Sequence, residues 1–292
     1  MQQFVYLNGE VLDEREARIH VNDRGFLLAD GIYEVIRVYG GRPFELDRHL
    51  RRLERSAREL RLPLDPPADE IGRIATELLS RNGLADATIY VQVTRGIAPR
   101  SHAFPTTTVR PTTYVVVRSA LAPPPQLVRE GAAAITLPDD RWARCDVKVV
   151  GLTANVLAKQ AAVDAGAFEA IFVRDGYVTD CASCNVFAVF GSTLMTAPRT
   201  NYILWGITRE VVLELARQDG MDVQEMPFRV EQLRQADEIF VTGTSSELTP
   251  IVTLDGAMVG NGEPGAITQH LIELFGHRTR GQVAEPQPVP SR

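Results

Sequence analysis

The stretch RCDVKVVGLTANVLAKQ, residues 144–160, places a lysine, Lys148, inside an apolar run. Val147, Val149 and Val150 flank this lysine, so its amine is expected to be partly desolvated. Desolvation disfavours the ammonium form and leaves a nucleophilic amine of the kind that forms a Schiff base. The alternative is a surface lysine on an edge strand, because most lysines are exposed. The rest of the chain must therefore decide its role.

The sequence on either side of this stretch alternates predicted helices with predicted strands. Helices are predicted over 153–166, 208–219 and 267–275. Segments rich in β-branched and aromatic residues predict strands at AAITLP, EAIFVRDG, NVFAVF and EIFVTGT. Such alternation is typical of an α/β domain.

The first 120 residues are predicted to form hairpins, two helices and two longer strands. Asn8-Gly9 and Gly40-Gly41 are turn signals inside FVYLNGEVL and IYEVIRVYGGRPFELD. Spaced leucines indicate a helix around residues 50–62, and a second helix is predicted over 69–80. ATIYVQVTRG and TTYVVVRSA are strand-like.

A proline-rich segment divides the chain. LAPPPQ, residues 121–126, predicts a stiff extended linker. We therefore expect a small N-terminal α/β domain over 1–120, a larger domain over 127–277, and a disordered tail over 278–292. The expected fold class is mixed α/β with two domains, and an active site is expected in the cleft between them.

Composition narrows the classes of function. The net charge of −6 disfavours nucleic acid as a partner, because binding phosphates needs a concentrated basic face. The sequence has no apolar run near the roughly 20 residues that cross a bilayer, and its first residues lack a signal core. An odd count of three cysteines does not indicate a disulfide framework. We expect a cytoplasmic protein without a membrane partner.

Several stretches together resemble one enzyme family. They are DRGFLLADGIYEVIRVYGG, HLRRLERSA, YVQVTRGIAPRSHAFP, RCDVKVVGLTANVLAKQ, EAIFVRDGYVTD with SCNVF, NYILWGITREVV, and FVTGTSSELTPI. In order and spacing the chain resembles the fold type IV, or class IV, pyridoxal-phosphate (PLP) aminotransferases. Within that group it is most similar to the D-amino-acid (D-alanine) transaminases. The resemblance covers more than four fifths of the chain.

The resemblance implies a role for each residue of the site. Lys148 would hold PLP as a Schiff base and act as the catalytic residue, in the larger domain. The cofactor-binding residues it implies are Arg52, Asp180, Ser183, Leu204, Ile207, Thr208 and Thr244. The substrate-binding residues are Tyr33, Arg100 and His102, since a planar cation, a second donor and a phenol can converge on an α-carboxylate. The resemblance implies no metal.

Two positions depart from the family's pattern. Asp180 stands where the family usually has glutamate, whose carboxylate keeps the pyridine nitrogen protonated. Aspartate is one methylene shorter, so the backbone moves closer, a water bridges, or the ring is less firmly protonated. Asp180→Glu is therefore expected to preserve or raise activity. Gly243 stands in place of an expected serine, which removes one side-chain contact.

Cys181 and Cys184 form a C-x-x-C pair within DCASCN. A zinc site needs about four ligands, and the sequence supplies neither a second pair nor a nearby histidine cluster. A redox dithiol is the functional alternative. We expect instead that both cysteines replace small serines lining the cofactor pocket. Glu169 matches a strand carboxylate near the lysine and stays outside the predicted catalytic set.

The implied reaction moves an amino group between D-amino acids (D-alanine, D-glutamate) and 2-oxo acids (pyruvate, 2-oxoglutarate), in a homodimer. Branched-chain L-aminotransferase, (R)-amine transaminase and aminodeoxychorismate lyase are alternatives of the same fold. Arg100 and His102 count against all three, most weakly against the amine transaminase. A non-catalytic PLP-binding protein is the alternative from another class, and the intact Lys148 counts against it.

Overall fold

A computed structural model describes residues 3–120 and 122–281. The elements before residue 121 are β1 Phe4–Leu7, β2 Glu10–Asp13, α1 Arg24–Leu28, β3 Gly31–Tyr39, β4 Arg42–Pro43, α2 Leu46–Glu59, α3 Ala68–Arg81, β5 Ala87–Thr94 and β6 Thr112–Ser119. The six strands pair antiparallel in the order β2-β1-β6-β5-β3-β4. The predicted turn at Asn8 and Gly9 is confirmed, with the positive φ values of 53° and 104° that these two residue types tolerate.

Helices α2 and α3 cover one face of this first sheet. Leu53 and Leu78 from the helices share a buried cluster with Ile36 and Ile89 from the strands. Successive side chains of a strand point to opposite faces. Tyr33 on β3 therefore lies on the face away from these helices.

The elements after residue 121 are α4 Pro125–Glu130, β7 Ala132–Pro138, α5 Thr153–Asp164, β8 Glu169–Arg174, β9 Tyr177–Cys181, β10 Asn185–Phe190, β11 Thr193–Thr196, α6 Ile207–Gln218, β12 Asp222–Glu225, α7 Val230–Leu233, β13 Glu238–Gly243, β14 Glu247–Leu254, β15 Ala257–Met258 and α8 Ala266–Thr279. The second sheet runs β12-β11-β10-β13-β14-β7-β8-β9, with β15 paired to β14. Its pairs β7–β8, β14–β7 and β11–β12 are parallel, and the others are antiparallel. The predicted mixed α/β class is confirmed.

Two boundaries differ from the sequence prediction. α4 begins at Pro125, inside the segment expected to be an extended linker, because proline suits the first position of a helix. α8 continues to Thr279, into the predicted tail, and Arg278 in its last turn pairs with Glu45 at 2.8 Å. Residues 282–292 of that tail, and residue 121, lie outside the described residues. Within the described ranges, every helix is too short or too polar to cross a membrane.

Backbone hydrogen bonds join the two halves of the chain beside Lys148. The N–H of Tyr33 donates to the Lys148 carbonyl at 3.0 Å, and the N–H of Val150 donates to the Gly31 carbonyl at 3.1 Å. The segment that leads into α5 thus pairs with the start of β3.

Candidate active site

A cavity of about 1020 Å³ is lined by residues from both halves of the chain. It brings together ten of the predicted site residues: Tyr33, Arg52, His102, Lys148, Asp180, Ser183, Leu204, Ile207, Thr208 and Thr244. Arg100 is exposed and lies outside this lining. Small-molecule sites are commonly roughly 300–1,000 Å³, so the cavity has room for a cofactor together with a small substrate.

Lys148 reaches into the cavity beside Tyr33. Its Nζ lies 4.1 Å from the centre of the Tyr33 ring. The lysine is half-buried and its neighbour Val147 is buried. The backbone N–H of Lys148 donates to Ser56 Oγ on α2 at 3.4 Å, which adds to the pairing with β3. The amine is therefore positioned by its backbone as well as by its apolar neighbours.

One part of the cavity lining gathers hydrogen-bond donors. α6 begins at Ile207 after Gly206, which has no side chain to cap the free N–H groups of the first turn. A Cβ on Gly206 would lie 2.1 Å from Asn185 Oδ1, so this close approach requires glycine. Nearby on the lining, the Thr242 hydroxyl is buried and finds no partner among the described residues. A helix start with unpaired donors suits an anion such as phosphate.

Arg52 also lines the cavity. A buried carboxylate holds its guanidinium in place. Its Nε and Nη2 donate to Glu34 at 2.7 and 2.8 Å, and its Nη1 donates to the Trp205 carbonyl at 2.8 Å. Burial by itself raises the pKa of Glu34, but Arg52 and His49 overcome that effect and hold the pKa at about 2. Because a guanidinium has five N–H donors, Arg52 retains donors for an anion.

Another part of the lining surrounds Asp180, which is buried. Its Oδ2 accepts hydrogen bonds from the Leu204 N–H at 3.0 Å and from Arg141 Nη1 at 3.2 Å, and its Oδ1 accepts one from Asn185 Nδ2 at 2.8 Å. Arg141 also binds Asp139 through Nε and Nη2, at 2.9 and 3.0 Å. Burial raises the pKa of Asp180, and the shared Arg141 only partly offsets it.

One wall of the cavity contains the two cysteines of the C-x-x-C pair. Both are free and buried, and burial, followed by the nearby Glu169 carboxylate, raises the pKa of Cys184 to about 12 and moves that of Cys181 in the same direction. They are thiols rather than thiolates, which does not favour the redox alternative. No group of three or more potential metal ligands occurs in residues 3–120 and 122–281.

Gly243 faces this wall. A Cβ there would lie 2.6 Å from Ser246 Oγ and 3.3 Å from Cys184 Sγ, and those two atoms contact each other at 3.2 Å. The Ser246 hydroxyl and the Cys184 sulfur thus occupy the space that a serine at 243 would need. On the same wall Ser183 Oγ donates to Glu169, which also pairs with Lys159 at 3.4 Å.

The substrate residues predicted on the RGIAPRSH stretch lie on a loop between β5 and β6. The chain bends at Arg100 and again at His102, and both side chains are exposed. His102 borders the cavity whereas Arg100 does not. The extended alternation expected from the sequence is therefore interrupted by bends.

Comparison with known proteins agrees with this geometry. A sequence profile described as amino-transferase class IV matches residues 31–254. The chain belongs to the class IV aminotransferases. The D-alanine aminotransferase of Staphylococcus haemolyticus is 43% identical over 271 residues, which are 93% of this chain and 96% of that protein. The class IV fold matches the branched-chain amino acid aminotransferase of Escherichia coli with a TM-score of 0.91, 26% identity, and coverage of 98% and 97%.

A second solved class IV aminotransferase, the branched-chain amino acid enzyme of Thermobaculum terrenum in its PLP form, matches with a TM-score of 0.84 and 26% identity, covering 97% of this chain and 95% of that one. Class IV aminotransferases use PLP, and the residues of this cavity fit it. The orphaned Thr242 hydroxyl, the free N–H groups of α6 and the Arg52 guanidinium would hold the phosphate. Asp180 offers a buried carboxylate for the ring nitrogen, and Lys148 offers the amine.

Four residues that sequence reasoning missed support the predicted ones. Glu34 holds Arg52, while Arg141 and Asn185 hold Asp180. Thr242 contributes the orphaned hydroxyl. A charged residue at a strand position, as in IYEVI, was the available signal for Glu34, because buried acids are rarely found unpaired.

Proposed function

We propose that this class IV aminotransferase moves amino groups between D-amino acids, such as D-alanine and D-glutamate, and 2-oxo acids, such as pyruvate and 2-oxoglutarate. The placement of Lys148 carries the proposal: its amine lies beside Tyr33 in a cavity that Asp180 and the anion-binding donors also line. Identity of 43% to a D-alanine aminotransferase supports the choice of D-amino acids.

Each residue would contribute through its own chemistry. Lys148 would take the proton from the substrate Cα and return it during the reverse half-reaction. When bound, PLP supplies an electron sink for the carbanion. Asp180 would keep the ring nitrogen charged, Leu204 and Ser183 would pack around the ring, and the phosphate would be bound by Arg52, Ile207, Thr208 and Thr244. Tyr33, Arg100 and His102 would bind the substrate carboxylate.

We further propose a homodimer of two-domain subunits, each with its cofactor in the larger domain. Large apolar side chains are exposed in segments that border the cavity lining, with Phe26 75%, Trp142 48% and Leu157 67% accessible. Exposed apolar surface of this kind is typical of a protein interface. A cytoplasmic location is consistent with three free cysteines, since disulfides are rare in reducing compartments.

The test is to add D-alanine and, separately, L-leucine to the purified holoenzyme and to follow the cofactor absorbance. We expect D-alanine to convert the cofactor to its amine form, and Lys148→Ala to abolish that conversion. Conversion by L-leucine alone would overturn the D-amino-acid assignment. It would favour the second candidate, a branched-chain L-aminotransferase, which the match to the Escherichia coli structure supports. Cofactor absorbance that neither amino acid changes would indicate a non-catalytic PLP-binding protein.

A further inference from the structure

Between the two predicted substrate residues, the loop that carries Arg100 and His102 is held by a hydrogen bond to its backbone. It runs between β5, which ends at Thr94, and β6, which begins at Thr112. Long surface loops are mobile unless they are held. Here the Ser101 carbonyl, which lies between the two substrate residues in sequence, accepts a hydrogen bond from Arg24 Nη1 at 2.7 Å.

Arg24 is buried, and its guanidinium is itself fixed by an ion pair. Its Nε binds Asp30 Oδ2 at 2.8 Å. Asp30 also accepts from Arg95 Nε and Nη2, at 2.8 and 3.0 Å. Although burial by itself raises the pKa of Asp30, the hydrogen bonds from Arg95 and Arg24 hold it below its usual value. The three residues form a charged cluster, the Asp30 cluster.

The Asp30 cluster connects the loop to the strand that carries Tyr33. Asp30 directly precedes β3, and the N–H of Arg95 donates to its carbonyl at 3.1 Å. Farther along the loop, the Phe104 ring stacks on the Arg95 guanidinium at 3.8 Å. The loop is thus held at Ser101 and at Phe104 by two arginines that share one carboxylate.

We propose that Arg24 is a positioning residue for the substrate's α-carboxylate: it fixes the backbone at Ser101 and thereby sets how Arg100 and His102, which with Tyr33 are proposed to bind the carboxylate, project from the loop. The inference rests on the proposed function, because it assumes that those three residues bind a carboxylate. Arginine is needed because one planar fork serves the Asp30 carboxylate and the Ser101 carbonyl at once. Lysine would keep the charge but could not make both contacts.

The test compares Arg24→Lys with a matched variant, Arg37→Lys, in the holoenzyme. Arg37 is also buried in the first sheet and donates to backbone carbonyls, those of Ala87 and Ala120, at 3.4 and 3.0 Å. For Arg24→Lys we expect the KM for D-alanine to rise about tenfold with kcat within about twofold, since misplacing a binding group weakens orientation. Arg37→Lys should leave both values unchanged.

Two further readouts separate positioning from general damage. The effect of Arg24→Lys should be lost in an Arg100→Ala background, because both changes remove the same interaction. Trypsin should cut after Arg100 several times faster in Arg24→Lys than in the unmodified chain, as followed by mass spectrometry. Asp30→Asn, which weakens the same cluster, replaces Arg24→Lys if that variant does not fold.

An unchanged KM, equal losses in Arg37→Lys, or additivity with Arg100→Ala would overturn the positioning role. If the unmodified enzyme does not use D-alanine, the proposed function fails instead. The trypsin measurement still reports on the anchor in that case, because it does not depend on activity.

Discussion

Glu34 and Asp180 are both buried carboxylates beside an arginine, yet their pKa values move in opposite directions. Glu34 accepts two hydrogen bonds from Arg52, at 2.7 and 2.8 Å, and its Oε2 lies 2.8 Å from His49 Nδ1. These contacts hold its pKa at about 2. Asp180 accepts one hydrogen bond from Arg141, at 3.2 Å, and burial raises the pKa of Asp180. Arg141 makes its two shorter bonds to Asp139. A nearby arginine therefore favours the ionised form only as far as its donors are directed to that carboxylate.

The largest expected effect is the loss of folding stability when the Glu34–Arg52 ion pair is broken. Glu34→Gln leaves the buried Arg52 without its carboxylate, and breaking a buried ion pair in this way costs about 3–5 kcal/mol. Urea unfolding of the protein without PLP measures the loss. Glu70→Gln is the control, because Glu70 pairs with Arg73 on the surface of α3, where an ion pair contributes less than about 1 kcal/mol. Equal losses of unfolding free energy in Glu34→Gln and Glu70→Gln would contradict the expected difference between a buried and a surface ion pair.

Glu34 and Asp180 should contribute to the pH dependence of stability with opposite signs. The folded pKa of Glu34 lies below its ordinary value of 4.5. Its contribution, about 3 kcal/mol, is therefore complete above pH 4.5 and is lost as the pH falls towards 2. The folded pKa of Asp180 lies above its ordinary value of 3.8, so ionisation opposes folding and its contribution declines as the pH rises above 3.8.

Unfolding free energies of the unmodified chain, Glu34→Gln and Asp180→Asn, measured from low pH to neutral pH, test this difference. The stability advantage of the unmodified chain over Glu34→Gln should grow as the pH rises. Relative to Asp180→Asn it should shrink over the same range. Changes of the same sign in both comparisons would show that the two carboxylates are not in different environments.

A smaller loss is expected when Arg141 is replaced. Arg141→Met removes one donor from Asp180, but that residue keeps the Leu204 N–H and Asn185, and Asp139 keeps Arg174 at 3.2 Å. The substitution also removes the two donors from Arg141 to Asp139, but neither carboxylate becomes an uncompensated buried charge, so we expect a loss of about 2–3 kcal/mol. Urea unfolding checks this value against Arg144→Met, which alters a half-buried arginine. If Arg141→Met lost more unfolding free energy than Glu34→Gln, the expected order of the two effects would be wrong.

The smallest expected effect concerns activity. Asp180→Glu restores the longer carboxylate and should keep kcat/KM for D-alanine unchanged or raise it a few fold, because the carboxylate comes closer to the ring nitrogen. Asp139→Glu is the matched control, since it lengthens the other carboxylate on Arg141 and should bring no gain. A large loss in Asp180→Glu would contradict the assignment of Asp180 to the cofactor ring.

Local patterns in the sequence predicted the fold class, whereas the residues of the site were predicted through the resemblance to class IV aminotransferases. Turn signals at Asn8-Gly9 and the helix after Gly206 are encoded within a few residues, so they were found. Lys148 and Asp180 were assigned through resemblance, and the structure places both on the cavity lining.

What sequence reasoning missed are contacts between distant residues. Glu34 and Arg52 stand 18 positions apart, and Arg141 and Asp180 stand 39 apart, so no local pattern links them. The loop with Arg100 is bonded at Ser101 to Arg24, which lies 77 positions away. The start of α4 at Pro125 was missed because a proline run fits an extended segment as well as a helix start.

The backbone pairing of the Lys148 segment with β3 has a consequence for how the site can change over evolution. The two hydrogen bonds, from Tyr33 to Lys148 and from Val150 to Gly31, use main-chain atoms only. Exchanges of side chains on the cavity wall therefore leave the distance between the base and the tyrosine nearly untouched. Substitutions on the cavity wall can change substrate preference while the Lys148 amine keeps its position beside Tyr33. One backbone can therefore serve enzymes of different selectivity.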